Sequence, residues 1–182
     1  MSEVVRLSIG CTDRVGLVSA IAARLFDLGV NLGDGTFATL GEGAEFVALC
    51  ELPPGVAPSA LEAELAGLPL LAGATIAVTP FRLGLHQGDA ANVTHEITCI
   101  GPDQPGLLAR MTEVLVASEA NIVGLVATRL EGQDGDAYRM VLSVGIPADR
   151  VQVCLATLAN TANQLGQRLT WRAAAEIGGP GG

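Results

Sequence analysis

The sequence predicts an α+β protein of two similar units, each with a four-stranded antiparallel sheet and two helices on one face of it. Three observations support this fold class. Residues 7–40 and 97–130 match at a fixed offset of 90, which indicates an internal duplication. Each half carries strand and helix patterns in the order β-α-β-β-α-β, the split βαβ plan of ferredoxin-like folds. The 182 residues suffice for two units of about 80–90 residues, a viable domain size.

The two copies share polar residues and glycines as well as apolar positions. These matches fall at a strand-to-helix turn and at the start of the following strand. We therefore predict domains at residues 1–83 and 93–177, a polar linker at 84–92 and a flexible tail at 178–182. The identical pairs are Asp13/Asp103, Gly16/Gly106, Leu17/Leu107, Leu25/Leu115, Asn31/Asn121 and Leu40/Leu130.

The first strand and helix of each unit follow from hydrophobic periodicity. Residues 4–11 alternate between apolar and polar side chains, which predicts a half-buried strand. Apolar residues then recur at helical spacing as far as Leu28. Asp13 is expected to cap the start of this helix and Gly29 to end it. The second half is expected to have a strand at 93–101, a cap at Asp103 and a helix from Pro105 to about Ser118.

A hairpin, a shorter helix and a last strand complete each unit. Strands at 30–40 and 44–52 flank Gly41-Glu42-Gly43, a hairpin signal. Pro58-Ser59 opens a short helix, and the β-branched segment from Thr75 to Leu83 predicts the last strand. The second half is expected to have strands at 120–130 and 137–146 around a loop at 131–136, a helix at 149–165 and a strand at 167–176.

The composition narrows the classes of function. The net charge is −9, so the clustered positive charge of a nucleic-acid binder is missing. The chain has no lysine, which excludes a Schiff base on its own lysine and a P-loop of the usual form. The chain has only a few side chains suited to acid–base catalysis: His86, His95 and Tyr138. Of these, His95 is expected to be exposed at the start of a strand. We predict a protein without catalytic residues or a cofactor.

The cysteines and the chain start bear on metal binding and location. Cys11, Cys50, Cys99 and Cys154 lie far apart without a CxxC pair, so buried free thiols are expected and a metal site is not. The N-terminus lacks a signal-peptide pattern, and no apolar stretch reaches the ~20 residues of a membrane span. A cytoplasmic protein with reduced cysteines and no membrane association is the resulting expectation.

One motif, Asp-x-x-Gly-Leu, recurs at the first turn of both copies, and an Asn starts the next strand of each. A glycine lets a ligand approach the backbone, and N–H groups at a helix start can hold a carboxylate. An Asn amide can contact both charges of a zwitterion. Structural roles are the alternative: Asp as a helix cap, Gly as a packing residue and Asn as a strand start. The candidate site residues are Asp13, Gly16, Leu17, Asn31, Asp103, Gly106, Leu107 and Asn121.

These motifs, present twice in a βαββαβ plan, resemble the ACT domain, a small regulatory module that commonly binds amino acids. The resemblance implies a ligand held between paired domains, and it implies that the two units pack side by side so that an edge strand of each is shielded. It implies that the ligand carboxylate faces the backbone of Gly16, Leu17, Gly106 and Leu107, and that the side chains of Asn31 and Asn121 reach across the interface.

Further residues narrow the resemblance. The run Asn31-Leu-Gly-Asp34, with Leu40-Gly41-Glu42 and Glu45-Phe46, is similar to the tandem-ACT family that includes the glycine cleavage system transcriptional repressor. Such proteins are thought to act through a DNA-binding partner, which agrees with the acidic charge. The resemblance implies a sensor of a small amino acid, glycine or serine, that signals to a protein partner such as a transcription factor. It is also compatible with a homodimer. The alternatives are a regulatory subunit of an amino-acid biosynthetic enzyme and a dimerisation module without a ligand.

Overall fold

The computed structural model describes residues 3–84, 92–130 and 137–174. The chain divides into two compact units, Met1–Gly84 (unit 1) and Leu85–Gly182 (unit 2). Most of the predicted linker, the loop at 131–136 and the predicted tail at 178–182 lie outside the described residues, so those assignments stay predictions.

Unit 1 has the predicted order of elements. Its antiparallel sheet has the strand order β2-β3-β1-β4, with β1 in the interior and β2 at one edge. A 3₁₀ turn, Pro69–Leu71, precedes the last strand. The elements are β1 Glu3–Thr12, α1 Leu17–Asp27, β2 Asn31–Leu40, β3 Gly43–Leu52, α2 Pro58–Ala66 and β4 Thr75–Pro80.

Unit 2 repeats this architecture, which confirms the predicted fold class. Its sheet has the order β6-β7-β5-β8, so β5 takes the interior place of β1 and β6 the edge place of β2. Its elements are β5 His95–Pro102, α3 Leu107–Ala117, β6 Asn121–Leu130, β7 Ala137–Gly145, α4 Val151–Gln164 and β8 Arg168–Ala173. None of the described helices is long and apolar enough to cross a membrane.

Each unit has one aliphatic core between its sheet and its helices. In unit 1, alternate residues of β1 (Val5, Leu7 and Ile9) are fully buried, and Ile21 and Leu25 of α1 pack with them in the same core. Burying each such side chain contributes roughly 1.5–3 kcal/mol. The corresponding core of unit 2 includes Ile97, Cys99, Met111, Leu115, Leu142 and Leu158.

The two edge strands lie outside these cores. Every residue of β2 is exposed, and so is every residue of β6 except the partly buried Gly124. Several of these residues are large and apolar, including Leu40 and Val126, which are both 64% exposed. Long apolar edge strands are ready templates for pairing with another strand.

The starts of α1 and α3 correct one sequence expectation. Asp13 and Asp103 are not helix caps, because the N-cap positions are Gly16 and Gly106 and neither helix has a side-chain cap. Both glycines have left-handed backbones, with φ of 87° and 84°. Such a residue turns the chain sharply into the helix, so each Asp lies three residues before the cap, where its carboxylate does not reach the first helical N–H groups.

The ends of the same helices differ between the units at one position. After α1, Gly29 has a φ of 68°, and the Val30 N–H donates to the Leu25 carbonyl at 2.9 Å. After α3 the same bond joins Ala120 to Leu115 at 2.9 Å, but the left-handed residue is Glu119, with a φ of 54°. The predicted helix stop at Gly29 is thus confirmed. Unit 2 carries a side chain where this type of helix end favours glycine.

Exchanging these two residues tests the cost of that backbone. Glu119→Gly is expected to raise the free energy of unfolding of unit 2 by about 1 kcal/mol, since a left-handed backbone costs a non-glycine residue about 1–2 kcal/mol. The exposed Glu119–Arg150 ion pair, 2.9 Å long, offsets only a small part of the gain. Urea unfolding followed by the fluorescence of Trp171, the single tryptophan, reports on unit 2.

The reciprocal change, Gly29→Glu, serves as the control. A Cβ there would meet only Pro53 Cγ at 3.8 Å, so the substitution tests the backbone and not a clash. The free energy of unfolding of unit 1, followed by far-UV circular dichroism, should fall by a similar amount. An unchanged or lowered stability of Glu119→Gly would show that Arg150 contributes more than the strained backbone costs.

Candidate functional site

The loop between the first strand and the first helix differs in its anchoring between the units. In unit 1, the Asp13 N–H donates to the Glu42 carbonyl at 3.0 Å, while Arg14 is exposed and Val15 is fully exposed. Leu17 is only 2% exposed as a whole residue, so its side chain and its backbone are both almost completely buried. Its N–H also donates to the Arg14 carbonyl at 3.2 Å.

In unit 2 the loop is held by side chains. The amide of Gln104 donates to the Leu165 carbonyl, and the amide of Gln167 donates to the Pro102 carbonyl at 2.8 Å. The Asp103 carboxylate pairs with Arg129 at 3.0 Å. These contacts tie the loop to the segment before β8 and to the end of β6, and unit 1 has no counterpart among its described residues.

The sheet register separates each Asn from the loop of its own unit. Asn31 pairs with Glu51 near one end of β3, whereas Thr12, the last residue before the loop, pairs with Gly43 at the other end. The intervening stretch of β3 is roughly 25 Å long. In unit 2, Asn121 pairs with Gly145, and the loop starts beside Ala137.

The structure therefore brings only part of the candidate set together. Asp, Gly and Leu of the motif are neighbours within each loop, and the Asn of the same unit lies at the opposite end of the sheet. This separation follows from the topology alone. The helix after the first strand returns the chain to the end of the sheet where that strand began, and the strand with the Asn starts there. A site that uses both parts requires residues from two units of this fold.

The cavities beside the two Asn residues differ in chemistry. In unit 1 the cavity has a volume of about 260 Å³ and a mostly apolar lining: Ala22, Leu25, Phe26, Val30, Asn31 and Leu32. In unit 2 it measures about 380 Å³, and more of its lining residues are of polar type: Asn92, Thr94, Glu119, Asn121, Gly145, Ile146 and Pro147. The strained Glu119 thus borders the cavity at Asn121.

A third cavity, which sequence analysis did not predict, is a groove of about 570 Å³ between α3 and α4. Polar side chains line much of it, including Arg110, Glu113, Thr157 and Gln164. In unit 1 an ion pair joins the two helices instead, between Arg24 and Glu64 at 2.9 Å. No periodicity or motif marks the groove in the sequence, because it arises from the spacing of two helices.

His95 is buried, which corrects the expectation of an exposed residue. It is 8% exposed because its side chain lies on the helix side of β5, in phase with the buried Ile97 and Cys99. The Nδ1 atom lies 3.0 Å from the Thr94 hydroxyl, and the ring meets Trp171 edge-on at a centroid distance of 5.7 Å. Among the described residues, no group of three or more His, Cys, Asp and Glu is arranged to hold a metal ion.

The four cysteines are free thiols, and three are buried as predicted: Cys50, Cys99 and Cys154. Burial raises the pKa of Cys50 and Cys99 to about 11. Cys11 is partly exposed, and burial raises its pKa too, although the nearby Arg14 guanidinium acts in the opposite direction.

Comparison with known proteins identifies the fold. No protein-family model and no curated protein matches the sequence. Among solved structures, an unknown protein from Galdieria sulphuraria is similar at 22% identity, over 96% of this chain and 99% of its own, with a TM-score of 0.73. A protein described as a glycine cleavage system transcriptional repressor is similar at 14% identity, over 95% and 98%, with a TM-score of 0.65. The chain thus has a tandem ACT-type fold along nearly its whole length.

The burial of the thiols predicts their reactivity. At about pH 8 a disulfide reagent should modify Cys11 first and leave Cys50 and Cys99 intact until the protein unfolds, because the thiolate is the reactive form. As the pH rises above 9, these thiols lose their protons in the unfolded chain but keep them in the folded protein. Stability should therefore be retained below about pH 9 and fall as the pH rises from 9 towards 11.

Mass spectrometry of the modified protein, with and without denaturant, checks this order. Cys11→Ser is the control, since it should remove the early modification and leave the rest unchanged. Rapid modification of Cys50 or Cys99 in the folded protein would contradict the assignment.

Proposed function

We propose that this protein is a regulatory protein that binds a small amino acid and passes the bound state to a protein partner in transcriptional control. One observation carries the proposal: two helices, in equivalent places, begin at a left-handed glycine without a side-chain cap. Similarity of fold to a protein described as a glycine cleavage system transcriptional repressor adds support for the regulatory class.

The chemistry of the loops suits a carboxylate. The first N–H groups of a helix have no partner within the helix, and the helix dipole places positive potential there. Gly16 and Gly106 carry no side chain that could block approach to these groups. The buried side chain of Leu17, like that of Leu107, holds the helix start against the core.

The second half of the proposed site is an Asn from another unit of the same fold. Each Asn begins an edge strand, and these strands are exposed along their length. Pairing such an edge with a strand of another unit would cover its apolar residues and bring an Asn towards a foreign loop. The amide can accept from the ammonium group of an amino acid and donate to its carboxylate.

Ligand binding would act by linkage, because a ligand held by two units favours the arrangement in which both contact it. Glycine and serine are the first ligands to test. The partner would be a protein such as a transcription factor, since the acidic chain is unsuited to direct contact with nucleic acid.

Thermal unfolding with each of the twenty amino acids tests the proposal. A ligand at 100 times its Kd should add about 2.7 kcal/mol of stability, which raises the midpoint by roughly 5–10 °C. The shift should be selective, and it should shrink in Asn31→Ala or Asn121→Ala. Asn163→Ala, at an exposed position of α4, is the matched control and should keep the full shift.

The loop is tested separately at Val15, whose exposed side chain can change without disturbing the core. Val15→Asp places a negative charge beside the proposed carboxylate and should weaken binding, whereas Val15→Asn should not. If no amino acid shifts the midpoint, the protein is a dimerisation module without a ligand. Co-purification with a large catalytic subunit would instead favour a regulatory subunit of a biosynthetic enzyme.

A further inference from the structure

Each sheet has a second face, directed away from the helices, which we call the open face. In unit 1, three rows of residues cross it. The loop-side row runs through Glu45, Gly10 and Thr75, and the middle row through Val47, Ser8 and Ala77. The Asn-side row runs through Leu49, Arg6 and Thr79.

The open face of unit 2 has the same three rows, built from equivalent positions. Its loop-side row is Arg139, Ile100 and Arg168, and its middle row is Val141, Thr98 and Thr170. Its Asn-side row is Ser143, Glu96 and Arg172.

The two open faces carry opposite charges at two equivalent positions. Glu45 in the loop-side row of unit 1 corresponds to Arg139 in unit 2, and Arg6 in the Asn-side row corresponds to Glu96. The loop-side row and the Asn-side row are roughly 13 Å apart, because they lie four residues apart along the central strand. On unit 1 the loop-side row carries Glu45 and the Asn-side row Arg6, with the exposed Glu51 next along β3. On unit 2 the loop-side row carries two arginines, and the Asn-side row carries Glu96 together with Arg172.

Most of these charges are unpaired within the part of the chain that the structure describes. Arg6, Glu45, Arg139 and Arg168 are exposed and form no ion pair with another described residue. Glu96 is the exception, since it pairs with Arg172 at 2.9 Å. At the loop-side row, the carboxylate of Glu45 lies over Gly10, within 2.8 Å of where a Cβ would stand.

We propose that the open face of unit 1 binds the open face of unit 2 of a second copy of this chain. A face-to-face packing that keeps the rows aligned sets Glu45 against the row of Arg139 and Arg168. The same alignment sets Arg6 against the row that holds Glu96 and its partner Arg172, so the main charge complementarity lies in the loop-side row. Between the charged rows, the partly exposed Val47 meets the middle row of Val141 and Thr98.

The area available agrees with a stable dimer. Four strands about 4.8 Å apart and six residues at about 3.3 Å each give roughly 400 Å² for one face. A two-fold axis makes the contact twice, because unit 1 of each copy meets unit 2 of the other. The closed dimer then buries roughly 1,600 Å², the size of a typical specific interface.

Sedimentation velocity tests the proposal, which does not depend on ligand binding. The wild-type protein is expected at about twice the 18.5 kDa mass of the chain at micromolar concentration. Raising the salt from about 0.05 to 0.5 M should weaken the dimer, because added ions screen the charged rows. Arg139→Glu and Glu45→Arg should each raise the dimer dissociation constant at least about tenfold.

The double variant Glu45→Arg with Arg139→Glu is the decisive arm, since it exchanges the charges and should restore dimerisation to near the wild-type level. Arg110→Glu and Glu113→Arg, on the exposed side of α3, make the same changes of net charge and should leave the dimer intact. Far-UV circular dichroism verifies that each variant is folded. A monomeric wild-type protein, a dimer insensitive to both single variants, or a double variant no better than the single ones would overturn the proposal.

Discussion

The positions of all other elements depend on the two central strands, β1 and β5. Alternate residues of each are buried under the helices, and both neighbouring strands pair with it in antiparallel register. A shift of one residue would turn its aliphatic side chains to the open face, so burial fixes the register strongly. That register places the glycine loop at one end of each sheet and the Asn at the other. It also decides which charges share the open face.

Much of the fold could be predicted because its signals are local. Alternation and helical spacing are visible in short stretches, and the duplication supplied every element twice. The errors arose where tertiary context decides. Asp13 has the chemistry of a cap, but the left-handed turn at Gly16 moves the helix start beyond its reach. His95 is polar, yet the phase of β5 directs it inwards. The separation of Asn31 from its loop follows from the chain path, and the groove between α3 and α4 from helix spacing, which no motif reveals.

The two units share a backbone plan and have diverged in chemistry. Gly29 ends α1, whereas the strained Glu119 ends α3 and borders the cavity at Asn121. The loop of unit 1 is held by its backbone, and that of unit 2 by two glutamines and an ion pair. Strained residues persist where surrounding contacts determine them, often at functional positions. A duplicated protein that keeps the plan and varies these details can give its halves different tasks.

The uncapped helix starts have a consequence for motion. A helix without a capping side chain frays more readily at its first turn. Its first N–H groups have no partner within the helix, so fewer hydrogen bonds hold the first residues in helical geometry. In the proposed function, an anion bound there would take the place of the absent side chain and oppose the fraying. Leu17 and Leu107 belong to the two cores, so an occupied site would steady the first turns of α1 and α3 where they join those cores.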